Sequence, residues 1–157
     1  MHPTAARVQE RLRERGLDVS VQVLPDSTRT AGEAAAAVGC EVGQIVKSLV
    51  FMRGEEPVMV LCAGDRRVAS TRLGLRAASA EEARTGTGFA IGGIPPLGHE
   101  RPLETLIDES LRRFETVWCA AGTPYAVFEA ETDALIAAIP DGALVDVAEQ
   151  RTRRSET

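Results

Sequence analysis

The sequence predicts one α+β domain, and three observations carry that prediction. Segments with a helical period alternate with β-branched runs, two apolar runs flank a glycine turn mid-chain, and neither a repeat nor a low-complexity linker divides the 157 residues. A chain of that length buries a core of its own. Its 44% hydrophobic and 26% charged residues are those of an ordinary globular domain. The domain is expected to span residues 1–150, followed by a polar tail, RTRRSET, at 151–157.

Residues 5–15 have a helical period ended by Gly16, and residues 19–24 alternate as a strand before the turn Pro25-Asp26-Ser27. Thr30-Ala31-Gly32-Glu33 reads as a capping box, continued by helical residues 34–38 and stopped by Gly39. Residues 41–46 predict a short helical turn. Residues 48–52 and 58–63 then form a hairpin around Arg53-Gly54-Glu55-Glu56-Pro57, and both strands, apolar on both faces, belong in the middle of a sheet. The pattern weakens after Gly64: residues 66–75 suggest a strand followed by a short helix, and 80–84 a helical turn. Residues 109–114 read as a helix capped by Asp108. Strands 117–121 and 125–129 flank Gly122-Thr123-Pro124, and a closing helix at 132–139 is expected to be capped by Thr132 and ended by Pro140.

The formal net charge of -5 argues against the wholesale phosphate neutralisation of duplex DNA binding. Arg7, Arg11 and Arg15 nevertheless form one stripe on the first helix. The stripe suits an RNA backbone or, equally, a solvated face paired with Glu10 and Glu14. No apolar run approaches the ~20 residues of a membrane helix. Residues 1–16 lack the apolar centre of a signal peptide, so a cytoplasmic protein without a membrane partner is expected. Cys40, Cys62 and Cys119 are odd in number, contain no CxxC, and have only two histidines beside them. Neither a disulfide framework nor a metal site is expected, and Cys62 and Cys119 read as core residues.

Candidate chemistry concentrates in two places. Residues 86–98, GTGFAIGGIPPLG, hold five glycines and two adjacent prolines, a loop whose amides stay uncovered by side chains. It matches neither a dinucleotide fingerprint nor a Walker loop. His99 follows it, but no nucleophile elbow or HExxH helix accompanies that histidine, which reads as structural or solvated. The second place is Lys47, the only lysine among 18 basic residues, set where a helical turn enters an apolar strand. A compact ammonium differs in function from a guanidinium fork, and beside a buried run it must reach solvent or point into a cleft.

In order along the chain, TRTAGEAAAAVGCEVGQIVKSLVF, TGFAIGGIPPLGHERPLETLIDESL and VWCAAGTPYAVFEA resemble the YbaK-type proteins and the related insertion domain of bacterial prolyl-tRNA synthetases, over residues 19–139. The resemblance implies a curved, mainly antiparallel mixed sheet of about six to seven strands wrapped by helices. It implies a trans-acting aminoacyl-tRNA deacylase, working without metal or organic cofactor on the acceptor end of a mischarged tRNA, typically tRNA(Pro), with a synthetase as a further candidate partner. Lys47 corresponds to the signature lysine, and Gly92, Gly93, Ile94, Pro95 and Pro96 to the GxxxP loop. Leu24, Thr28, Thr30, Ser48, Gly122 and Val127 fall at substrate-pocket positions. Thr30 stands where cysteine-specific members carry an aromatic residue and Val127 where they carry an aspartate, so a small side chain such as alanine is the expected substrate. Residues 65–86 are fewer than usual in the family. Two other classes remain open, a non-catalytic module binding the tRNA end or a synthetase, and a small-molecule binder whose glycine loop holds a phosphate.

Overall fold

A computed structural model of the chain describes residues 2–139 and 141–149. The expected tail at 151–157 and the stop at Pro140 lie outside the described residues.

Helix α1 (Pro3–Glu14) places Ala5, Val8 and Leu12 on one face, each fully buried, and gives way at Gly16 to a left-handed turn with φ of 85°. The side chain of Gln9 then takes both backbone partners of the incoming chain, donating to the Val19 carbonyl at 2.6 Å and accepting from the Val21 amide at 2.8 Å. Strand β1 (Val21–Val23) therefore begins two residues later than the alternation suggests. Helix α2 (Ala31–Val38) carries the expected capping box, with Thr30 accepting from the Glu33 amide and Gly39 in the left-handed region. A 3-10 turn, Val42–Gln44, leads into the hairpin of β2 (Val46–Arg53) and β3 (Glu56–Ala63).

Strand β3 is the structural spine. Val58, Val60 and Cys62 face one apolar cluster, while Met59, Leu61 and Ala63 face the larger one with α1 and Phe128. All six are fully buried. It pairs antiparallel with β2 and parallel with β5 (Glu104–Asp108), in a five-stranded sheet of order β4-β2-β3-β5-β8. Strand β4 is Arg76–Ala77, followed by helix α3 (Ala80–Thr87), and β8 is Ala143–Val145. A second, three-stranded sheet has the order β1-β7-β6, all antiparallel, with β6 at Thr116–Ala120 and β7 at Ala126–Glu131. A single parallel bridge, Ile45 to Trp118, joins the two sheets.

The α+β class and the mixed, mainly antiparallel pairing agree with expectation. The detail differs in five respects. Among the described residues eight strands form two sheets joined by one isolated bridge instead of one curved sheet of six to seven. Strands β5 and β8 escaped notice because their pairings are parallel and long-range, so no hairpin turn announces them. Residues 66–75 form turns fixed by a bridge from Val68 to Ala148, not a strand and a helix. The segment after Asp108 is a 3-10 turn, Glu109–Arg113, although Asp108 does cap it through Ser110. Lastly, Thr132 is not the cap of α4 (Thr132–Ala137). It is the first helical residue, and its hydroxyl donates to the Phe114 carbonyl at 2.7 Å because the helix grows directly out of β7.

Candidate active site

Beyond the Ile45–Trp118 bridge, no ladder joins β2 and β6 among the described residues. On its outer edge β2 is paired at Phe51 and Met52 with β4, and among the described residues the edge from Val46 to Val50 has no ladder partner. Both hairpin strands are interior to the sheet, as expected, although the pairing of β2 with β4 is short. A cleft of about 530 Å³ lies along the Val46 to Val50 edge, within the size range of small-molecule sites. Its walls are the β2 edge, the start of α2, the 91–94 segment of the glycine loop, and β6 with β7.

Lys47 stands on this edge, opposite Cys62 of β3, and its Nζ donates to the carbonyl of Arg66. Burial pushes the Cys62 thiol up to about 12, against the pull of Lys47, so the sulfur stays protonated and weakly nucleophilic. Cys119, also on the cleft lining, is raised by burial as well. Ser48 follows Lys47; its Oγ is buried and has no hydrogen-bond partner among the described residues. Thr28, Thr30 and Val127 complete the brought-together set. Thr28 is fixed twice to the Pro124 carbonyl, through its amide at 2.7 Å and its hydroxyl at 2.6 Å. Thr30 spends its hydroxyl on the α2 cap, and Val127 is 3% exposed.

The glycine loop divides. Gly92 and Ile94 face the cleft, and neither of their amides donates to a protein acceptor among the described residues. Gly93, Pro95 and Pro96 stand behind them. Gly93 packs so tightly on the next turn that a Cβ there would lie 2.7 Å from Thr123 Cα, and its carbonyl accepts from the Gly122 amide at 2.8 Å. Pro95 presents its carbonyl to buried His99, whose Nε2 lies 2.8 Å away, and Gly98 presents its carbonyl to Arg11 at 2.9 Å. Gly122, with φ of 101°, and Leu24, whose amide donates to the Tyr125 carbonyl, likewise support the wall without lining it.

Several lining residues lie outside the sequence-derived set. Arg29 and Ile91 flank the mouth, Ile91 59% exposed, and Trp118 forms part of the β6 wall. An exposed isoleucine in a glycine-rich loop and the only tryptophan of the chain were the available signals. Among the described residues no Asp, Glu or His lines the cleft, which leaves Lys47, Arg29, hydroxyls and free amides as its polar equipment. Such a set can bind and polarise an oxyanion or a phosphate but holds no side-chain general base. Among the described residues no group of three or more His, Cys, Asp or Glu could hold a metal ion, and no helix is long and apolar enough to cross a membrane.

Residues 25–138 match the model of the aminoacyl-tRNA editing domain. The chain belongs to that family. A crystal structure described as a candidate trans-editing enzyme for prolyl tRNA synthetase superposes with a TM-score of 0.88 at 46% identity, covering 96% of this chain and 99% of that one. The uncharacterised protein YwhH of Bacillus subtilis (strain 168) is 33% identical over 110 residues, 66% of this chain and 70% of its own. The proline--tRNA ligase of Limosilactobacillus fermentum (strain NBRC 3956 / LMG 18251) is 36% identical over 95 residues, 53% of this chain but 17% of the ligase. The family model thus matches most of this chain, whereas this chain aligns with only a small part of the ligase.

Proposed function

We propose that this editing-domain protein is a trans-acting deacylase that hydrolyses the ester joining a wrong amino acid to the 3′ end of a tRNA, with tRNA(Pro) carrying alanine or another small residue as substrate. The observation that carries the reading is the pairing, across one cleft, of the only lysine in the chain with two unpaired loop amides. Its family and its likeness to a candidate prolyl trans-editing enzyme support it.

The Lys47 ammonium holds a phosphate of the terminal nucleotide after releasing the Arg66 carbonyl. The amides of Gly92 and Ile94 hold the ester carbonyl oxygen as it gains charge. Water adds to the carbonyl carbon, the C–O bond to the ribose breaks, and the ribose hydroxyl and the free amino acid leave. Positioning and electrostatics supply the rate, consistent with a lining that holds no carboxylate or imidazole among the described residues. The amino-acid side chain rests near Val127 and Thr28, a small and weakly polar surface that excludes larger groups better than it separates single methylenes, worth ~1–3 kcal/mol each.

The test is a deacylation panel of tRNA(Pro) charged separately with alanine, serine, threonine, 2-aminobutyrate and cysteine. Small esters are expected to turn over fastest; a preference for the cysteine ester would overturn the specificity reading. Lys47→Ala should lower the rate by about 10²–10³-fold and shift stability by no more than about 0.5 kcal/mol. Full activity in that variant would overturn the assignment itself.

A further inference from the structure

A second groove, also of about 530 Å³, lies on the far side of the wall formed by the loop and the 122–125 turn. His2 and Arg7 at the start of α1, Val23 of β1, Arg84 of α3 and Tyr125 face it, and among the described residues no carboxylate does. Neither arginine takes part in an ion pair among the described residues. Tyr125, the only tyrosine of the chain, is 44% exposed, and Val23 beside it is 56% exposed.

The arginine stripe of α1 is therefore not one surface. Arg11 is spent on the Gly98 carbonyl, while Arg7 remains free at the groove among the described residues. None of the three stripe arginines pairs with Glu10 or Glu14 among the described residues, so the exposed face is not self-paired.

We infer that this groove holds a stretch of RNA strand continuous with the end that enters the cleft, its phosphates on Arg7 and Arg84 and a base stacked on Tyr125. The inference rests on the deacylase reading for the identity of the RNA, a tRNA acceptor arm. Two observations favour RNA over an acidic protein segment. Unpaired guanidinium groups beside an exposed aromatic face are the equipment of single-strand binding, in which stacking and backbone charge act together. The groove also backs onto the cleft through a shared wall, since Pro124 lines it while its carbonyl is held by Thr28 of the cleft lining. In a chain of net charge -5 this local excess of positive charge gives an incoming polyanion a preferred side.

The experiment measures binding of uncharged tRNA(Pro) transcript by fluorescence anisotropy at several salt concentrations, with wild type, the double variant Arg7→Glu/Arg84→Glu, its control Arg7→Lys/Arg84→Lys, and Tyr125→Ala. The charge reversal should weaken binding about tenfold or more and flatten the slope of log affinity against log salt by about 1.4, ~0.7 for each phosphate that is no longer neutralised. The lysine control should retain most of both. Tyr125→Ala should weaken binding about fivefold or more. An unchanged affinity and salt slope in the reversal variant, folded by circular dichroism, overturns the inference. So does a reversal that spares tRNA while abolishing capture of a prolyl-tRNA synthetase, which would make the groove a protein surface. Because uncharged tRNA needs no turnover, this outcome is separate from the Lys47→Ala test.

Discussion

The two walls of the cleft are built by opposite means. The β2 wall is a strand held by an eight-pair ladder to β3, with an apolar cluster against each face of the hairpin. The facing loop wall has no ladder. It is held from behind by isolated contacts, namely the Gly122 amide on Gly93, His99 on Pro95 and Arg11 on Gly98. Under the proposed function, the contrast teaches that a long-stemmed group such as Lys47 needs a rigid mount, whereas amides aimed at a developing charge must themselves be the rigid part. Distributed packing secures the first wall, and a few irreplaceable contacts secure the second.

Damage to the walls should therefore differ in kind. Leu61→Ala, beneath the β2 wall and fully buried, should cost about 2–5 kcal/mol of global stability in urea denaturation, with residual activity tracking the folded fraction. A loss of activity in still-folded protein would count against the rigid-mount view. Gly93→Ala should cost less stability, about 1–3 kcal/mol, yet lower deacylation of the folded protein at least about tenfold. Its added Cβ meets backbone at 2.7–2.8 Å, so the loop or its neighbour must move. Ordinary activity in this variant would show that the loop tolerates displacement.

The smallest effect is a pH dependence confined to the loop wall. Burial lowers the proton affinity of His99, against its bond to Pro95 and with help from Arg15 and Arg11. A histidine whose folded value is depressed stabilises the fold above its unfolded value, near 6.5, and loses that contribution as pH falls through the folded value. Melting temperature should thus fall between pH 7.5 and 5.5 in wild type and fall less in His99→Gln. Equal losses in both proteins would remove His99 from the account. The carboxylates lowered by ion pairs, Asp65 with Arg113 and Glu82 with Arg76, titrate in a more acidic window.

Local signals were legible wherever the chemistry that fixes an element is close in sequence. The Thr30–Glu33 capping box, the Gly39 stop and the hairpin around Gly54 each need only neighbouring residues, and each stands as read. Strands β5 and β8 were not legible, since each is fixed by a parallel partner distant in the chain. Thr132 misled for a related reason: its hydroxyl suits a cap, but a carbonyl 18 residues away at Phe114 claims it. Among candidate site residues, Lys47, Thr28, Thr30, Ser48 and Val127 meet at the cleft, while Leu24, Gly122, Gly93, Pro95 and Pro96 stand behind its wall.

By itself the sequence determined that Lys47 is singular, that 86–98 is a loop of bare amides, and which motifs carry the family resemblance, because composition and short spacings are written in the chain. Only the tertiary structure decided that these two features face each other. The cleft depends on β2 and β6 sharing no ladder beyond Ile45 and Trp118 among the described residues, and on which loop residues His99, Arg11 and Gly122 draw inward. Both are set by long-range contacts, and a hydrophobic period constrains which face of an element is buried, not which distant element buries it.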